Sequence, residues 1–399
     1  MHETHTIRGY KKINIQYYLQ SQSMSNHSKQ TKKQSINIQE DDNTLLPGLP
    51  NDLASICLVS LPTTLLFSVC RAWRRLLYSS SFPRPPFYSL YASLSPLPYP
   101  TNNSMSNSVQ FHSFDPFSYK WQTLPLPSIN PPLHLLHHHP SFISRNFPVQ
   151  SLTVANHLVL IAGETHHLVP ALTRPLLFHP ESNRWLFGPK FTVPRRWCVT
   201  GAFNNTVYLA SGVGLNFDGD VARSMEKWDM NGDKENWKWE KMAELRDGRF
   251  SREAVEAVGY KGKICMVNVK GNAPKDGWVY DVEKMTWENM PIGMIAGWTG
   301  AAAATVDGEE LMYVVDETTG RLSEYDGEKD IWKMVTELAE LKGAEQMSVR
   351  RGRVCVVCAN GEKIMVIDVV AIPARFWVVE PPSGLKVVGL HILPRICKD

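Results

Sequence analysis

Two groups of side chains have types and spacing suited to chemistry. Cys355-Val-Val-Cys358 has the spacing of a redox or zinc pair, and His137, His138 and His139, followed later by His166 and His167, have the type of metal ligands. Neither group converges. The cysteines fall in RVCVVC, an extended run that sends the two thiols to opposite faces, and a zinc site needs a second pair that is not found. The histidine run sits in a Pro-rich stretch with nothing to fix ligand orientation, and it reads as a loop. GYKGK and DGEE are hairpin turns rather than phosphate cradles, and no nucleophile elbow occurs. The expectation is a chain with no catalytic residue, no metal and no cofactor.

A third group is arginine and aromatic: Arg145, Arg196, Trp197, Arg252 and Trp298. These are the preferred anchors of protein interfaces, and the forked guanidinium suits a carboxylate or phosphate. Each precedes an apolar run, so what the group can do depends on where those runs meet.

The runs are short and β-rich, and they repeat. Trp121, Trp185, Trp239, Trp287, Trp332 and Trp377 each follow an extended segment and a turn, with identical Asp-to-Trp spacing in Asp115–Trp121, Asp281–Trp287 and Asp326–Trp332. After each Trp comes a pair of apolar runs split by Asn-Asn, Lys-Gly, Asp-Gly or Arg-Gly, the signature of a tight hairpin. Four strands per unit imply a propeller blade, and six such units imply six blades. The first unit lacks its inner hairpin, and 87–95 and 386–394 can supply the missing strands and close the ring. The segments leading into the innermost strands then converge on one mouth of the central channel, which makes Arg145, Arg196, Trp197, Arg252 and Trp298 the candidate substrate-binding set.

The aromatic before the Asp turn, the Trp after it and the hairpin ending in Gly resemble kelch repeats from 86 to 395. The double glycine of that family survives only as Ala162-Gly163, Ser211-Gly212, Gly271 and Gly361, and is Asp316-Glu317 in one unit.

Residues 45–82 have a different pattern. A first helix starts near Pro50 and places Leu53, Ile56, Cys57 and Leu61 on one stripe before Leu61-Pro62 stops it. A second, capped by Thr63, carries Leu65, Leu66, Val69, Cys70, Trp73, Leu76 and Leu77 around most of its circumference. Two short helices cannot bury that many large side chains. The order Leu-Pro, apolar helix, Leu-Pro, then Val-Cys-x-x-Trp-Arg resembles an F-box, through which substrate receptors dock on the Skp-type adaptor of a cullin-based SCF ubiquitin ligase. The resemblance implies adaptor contacts at Leu49, Pro50, Asp52, Leu53, Ile56, Leu61, Pro62, Leu66, Val69, Cys70 and Trp73.

Composition sets the remaining bounds. The 399 residues are 43% hydrophobic with a formal charge of +3, too little for bulk nucleic-acid binding. No apolar run reaches the roughly 18 residues of a membrane span, and the first residues lack a signal peptide's apolar core, so neither a membrane partner nor secretion is expected. Seven scattered cysteines argue against a disulfide framework and for the reducing cytoplasm or nucleus. Residues 1–44 are polar and expected to be disordered, and Met24 is an alternative start.

Together these features are identified with a plant F-box/kelch-repeat protein of the Skp-interacting type: a mainly β, six-bladed propeller preceded by a small all-α module. The resemblance implies a non-catalytic receptor whose partners are a Skp-type adaptor, the cullin and RING subunits behind it, and a protein substrate held by the propeller. The alternative is a kelch scaffold outside any ligase.

Overall fold

The computed structural model describes residues 44–395 apart from 62, 80–81, 83–87, 98–108, 130–149, 164–169, 171, 216–218, 249, 251–253, 271–274 and 306–309. The tail up to residue 43 and the histidines at 137–139 and 166–167 lie outside the described residues.

Six four-stranded antiparallel sheets form the bulk of the chain. The first contains β1 (Tyr88–Pro96), β2 (Gln110–Asp115) and β3 (Lys120–Thr123). The next four are β4 (Gln150–Val154) to β7 (Arg184–Phe187), β8 (Val199–Phe203) to β11 (Glu240–Lys241), β12 (Ala254–Tyr260) to β15 (Thr286–Asn289), and β16 (Ala302–Ala304) to β19 (Ile331–Glu337). The last is β20 (Gln346–Arg350), β21 (Arg353–Val357), β22 (Ile364–Asp368) and β23 (Arg375–Val379). The final strand, β24 (Leu385–Pro394), returns to pair with β1 and becomes the innermost strand of the first sheet. β4, β8, β12, β16, β20 and β24 each pack on the next, so the ring is closed by strands from both ends of the propeller. This is the closure that the incomplete first repeat predicts.

Local chemistry explains the repeat. The inner hairpins turn at Ala155-Asn156, Asn204-Asn205, Lys261-Gly262 and Arg351-Gly352 with positive φ at both residues, as a two-residue turn matched to strand twist requires. Between third and outer strands, Asp115, Asp281 and Asp326 accept backbone N–H bonds two or three residues on, and Tyr119, Met285 and Asp330 take positive φ just before the strand that carries the Trp. That turn fixes the constant Asp-to-Trp spacing.

The tryptophans then stitch blade to blade. The indole N–H of Trp185 donates to Pro125 O at 2.7 Å, that of Trp239 to Pro189 O at 3.2 Å and that of Trp287 to Ala243 O at 3.1 Å. Trp332 reaches Gly293 O at 3.1 Å, and Trp121 closes the circle on Glu380 O at 2.8 Å. Trp377 departs from the pattern. In four other blades the aromatic preceding the turn pairs with the Trp, as in Phe114 with Trp121, whereas in the last blade Ile367 pairs with Phe376. The expectation that Trp377 is the sixth repeat tryptophan is therefore corrected: the longer turn after Asp368 offsets it by one residue, which places its side chain on the other face.

Ahead of the ring stand three helices, not two: α1 (Asn51–Val59), α2 (Thr63–Val69) and α3 (Arg71–Tyr78). The expected second helix breaks at Cys70, whose extended backbone ends α2 and whose Sγ accepts the Trp73 N–H at 3.4 Å as the cap of α3. Among the described residues of the ring's loops lie the short helices α4 (Gly219–Arg223) and α5 (Ile292–Gly297).

Candidate functional site

Two surfaces deserve the name of site, one on the helices and one on the ring. The helices bury Leu58, Leu66, Leu76, Leu77 and Phe82 against one another, with Leu61, Phe67 and Trp73 packed around them. Leu66 is fully buried at 0% exposure, so the expectation that it contacts an adaptor is corrected to a place in the core. Leu53 (52%), Ile56 (64%), Leu65 (42%) and Val69 (50%) point outward instead, with Pro50, Asp52, Cys57 and Cys70 also exposed. Leu49 and Leu61 are half-buried, and Pro62 lies outside the described residues. Trp73 is half-buried too, and its indole N–H donates to Leu45 O at 2.7 Å, tying the incoming chain to α3.

The opposite side of the helices is fixed to the ring. The Tyr78 hydroxyl donates to Asp115, and burial, reinforced by that carboxylate, pushes the phenol's pKa upward. The Arg395 guanidinium, just after β24, lies 4.9 Å over the Tyr78 ring and donates to Leu77 O. Phe67 stacks on Phe117 with centroids 5.8 Å apart. Asp115 and Phe117 belong to a third-to-outer strand turn, and Arg395 follows an innermost strand. Because neighbouring strands are antiparallel, these groups share the ring face that carries the inner hairpin turns, while the segments leading into the innermost strands lie on the opposite face.

No family model matches the chain. Comparison with known proteins is more informative. The chain is 47% identical over 366 residues to the F-box/kelch-repeat protein SKIP25 of Arabidopsis thaliana, covering 89% of this chain and 91% of that one. A second F-box/kelch-repeat protein of that plant is 24% identical over 374 residues, covering 79% and 76% of the two chains. The F-box protein AFR, also from Arabidopsis thaliana, is 25% identical over 299 residues, covering 71% and 73%. This chain belongs to the F-box/kelch-repeat proteins.

In the kelch ring the structure describes three of the five residues of the expected substrate-binding set. Arg145 and Arg252 lie outside the described residues. Arg196 is 1% and Trp298 0% exposed, so neither side chain can meet a partner, and both expectations are corrected. Arg196 is held by reciprocal backbone bonds with Val213 of 3.0 and 2.9 Å, an approach that Gly212 permits because a Cβ there would sit 2.8 Å from Arg196 O. Trp298 is packed with Met290, Met294 and Met312 between two blades. Trp197 remains half-buried, with the Arg196 guanidinium 4.4 Å from its ring centroid. Arg195 is internal as well: it pairs with Glu226 at 3.2 Å, both side chains 3% exposed or less, and donates to Ser224 Oγ at 2.7 Å. This face exposes the apolar Leu215 at 63% and Ile292 at 82%, together with charged Lys190, Asp220 and Lys342.

The six inner strands enclose a central cavity of about 600 Å³ lined by small and polar residues such as Ser151, Thr200, Ala202, Ala303 and Ser348, with the charged Glu256, Lys261 and Glu310 among them. One residue here escaped sequence reasoning. His391 of β24 bonds Ser151 Oγ at 2.9 Å and Thr153 Oγ1 at 3.1 Å on the neighbouring blade, and burial lowers its pKa to about 3. The neutral ring donates through one nitrogen and accepts through the other, which clasps the closing strand to β4. Arg350 supports the same seam from β20, donating to Ile392 O at 3.2 Å and to Asn156 Oδ1 at 2.6 Å. Cys355 and Cys358 pack into separate cores on opposite faces of their sheet, as their spacing predicts.

Proposed function

We propose that this chain is the substrate-recognition subunit of an SCF-type ubiquitin ligase. The F-box docks on a Skp-type adaptor, which links it to the cullin and RING subunits, and the kelch ring captures a protein target. One observation carries the reading: Leu53, Ile56, Leu65 and Val69 form an exposed apolar face on helices whose other side is already packed and fastened to the ring. Such a face suits a partner's helical groove. The target's place is the ring face away from the helices, around Trp197, Leu215 and Ile292, where a captured protein does not compete with the adaptor. The receptor contributes no chemistry of its own. It holds a target lysine near a charged conjugating enzyme and so raises its effective concentration. The cytoplasm and nucleus, where this machinery acts on soluble targets, are the proposed locations.

The test is a binding isotherm of the full chain with a purified Skp-type adaptor. Ile56→Asp should weaken binding at least tenfold while leaving the melting curve unchanged, since Ile56 touches little in the free chain. Equal affinity for wild type and variant would leave the helices without their proposed role and favour a scaffold outside any ligase.

A further inference from the structure

Two Asn-Gly dipeptides occur in the chain, Asn231-Gly232 and Asn360-Gly361. Asparagine before glycine is the pair most open to attack on the side-chain amide by the following backbone nitrogen, because glycine has no Cβ to shield that nitrogen. The two sites lie in opposite settings. Asn231 and Gly232 are both exposed, in the turn that follows β10 (Met225–Asp229). Gly232 has a φ of +81°, a Cβ there would meet nothing within 4 Å, and its N–H donates to no group among the described residues. At the second site the backbone nitrogen is held. Gly361 is buried, its N–H donates to Cys358 O at 3.0 Å, and a Cβ on it would sit 2.2 Å from Val387 O, so its main chain is pressed against β24. The Asn360 N–H is tied as well, to Glu345 Oε1 at 2.9 Å.

We propose that Asn231 is a site of spontaneous modification, at which Gly232 closes a succinimide and water converts the amide to a carboxylate. The Gly232 nitrogen bonds to Asn231 Cγ, the amide nitrogen leaves that carbon as ammonia, and the Gly232 proton ends on the departing ammonia. Water then opens the ring at either carbonyl, giving aspartate or isoaspartate. The sum is amide plus water going to acid plus ammonia, and no oxidant or reductant enters. The product changes the local bonding. Asn231 Nδ2 and the Asn231 backbone N–H both donate to Asp229 Oδ1 at 2.8 Å, and Asn231 Oδ1 accepts from Asn205 Nδ2 at 3.2 Å. After conversion a second carboxylate replaces the amide donor beside Asp229, and like charges at contact distance repel, so the turn opens. Asn205 belongs to the inner hairpin turn of the same blade, and both asparagines line the central cavity. The reaction therefore adds a negative charge to the cavity wall at the ring face that carries the F-box, and a stock of the chain becomes mixed in charge as it ages. The proposal does not rest on the ligase reading.

The experiment is tryptic peptide mapping of the full chain after storage in mildly alkaline buffer, native and in guanidinium. Cleavage after lysine and arginine releases Asn231 in the 228–234 peptide and Asn360 in the 354–363 peptide. In the native chain the 228–234 peptide is expected to gain the mass of an amide-to-acid conversion and to split into two products on chromatography, at least tenfold faster than the 354–363 peptide changes. In guanidinium, where the fold no longer holds Gly361, the two peptides should convert at similar rates. Asn231→Asp reads the effect of the product directly: hydrogen exchange of the backbone at 229–237 should speed up several-fold while the ring's melting temperature stays in place. An Asn231 that keeps its amide in the native chain, equal conversion of the two sites before unfolding, or unequal conversion after it would each overturn the proposal. Unchanged exchange in Asn231→Asp would overturn the opening of the turn.

Discussion

In the F-box, Leu58, Leu66 and Leu77 are essentially sealed from solvent, while Leu53, Ile56 and Val69 on the same helices are half exposed or more. In the kelch ring, the second strand of each blade buries almost every side chain: β5 (His157–Ala162), β17 (Met312–Asp316) and β21 show one partly exposed residue each. Both regions are rich in large apolar residues, the F-box the more so. The difference is geometric. A sheet between two neighbouring sheets has both faces covered and can be apolar on both, whereas three short helices form one layer, and only the side toward the ring and the module's own centre is covered. The ring is complete in itself. The F-box is complete only on one side, which is why its apolar excess reads as function.

The largest expected effect tests the ring's self-sufficiency. Removing residues 385–395 deletes β24, unpairs β1 along its whole inner edge and strips the His391 and Arg395 contacts. The truncated chain should lose cooperative melting by circular dichroism or appear only in the insoluble fraction. A melt like that of the intact chain would mean that the ring does not depend on its closing strand.

A smaller effect separates the regions. Leu66→Ala should destabilise the F-box by about 2–5 kcal/mol, as expected for a large-to-small change at a fully buried site. Limited proteolysis should then cut within 51–78 first, while the ring's thermal transition stays in place. A shift of both transitions together would show that the Tyr78, Phe67 and Arg395 contacts make one cooperative unit of the two.

Acid should act on the ring through its seam. The folded pKa of His391 lies below that of the unfolded side chain because burial disfavours the imidazolium, so its contribution is fully present above about pH 6.5 and is lost as pH falls toward 3. His112 and His157 are lowered in the same direction by burial, so the whole chain should weaken over this window. The difference between wild type and His391→Gln isolates one residue: the variant keeps polar groups for Ser151 and Thr153 and should show a shallower loss of urea midpoint between pH 6.5 and 4. Parallel curves would remove His391 from the acid response.

The smallest effect compares one tryptophan with another. Trp185→Phe keeps the ring but loses the bond to Pro125 O, which should cost about 1 kcal/mol of ring stability. Trp377→Phe should leave the unfolding midpoint unchanged, because Trp377 is not part of the stitching. Equal losses would contradict the offset in the last blade.

Much of this was legible in the chain. Turn residues with obligatory positive φ, such as Asn204-Asn205 and Lys261-Gly262, mark hairpins wherever they fall, and the regular Asp-to-Trp spacing follows from one local turn. Strand count, blade count and the borrowing of 386–394 by the first blade were therefore readable from local signals. The apolar stripes of 45–82 were readable too, but not which of Leu66 and Val69 faces inward, because the break at Cys70 turns α3 away from the direction of α2.

The substrate set fared differently for a related reason. Arg195, Arg196 and Trp197 are adjacent, and nothing in their order reveals that the first is paired with Glu226, the second is buried beneath a neighbouring loop and only the third is partly exposed. The sequence by itself determined the repeat, the hairpins and the presence of a helical module with more apolar surface than it can bury, since these depend on contacts between residues close in the chain. The tertiary structure alone decided the clasp of His391 across the seam, the burial of Arg196 and Trp298, the exposure of Trp377 and the ring face that holds the F-box, since each is set by strands that meet only when the ring closes.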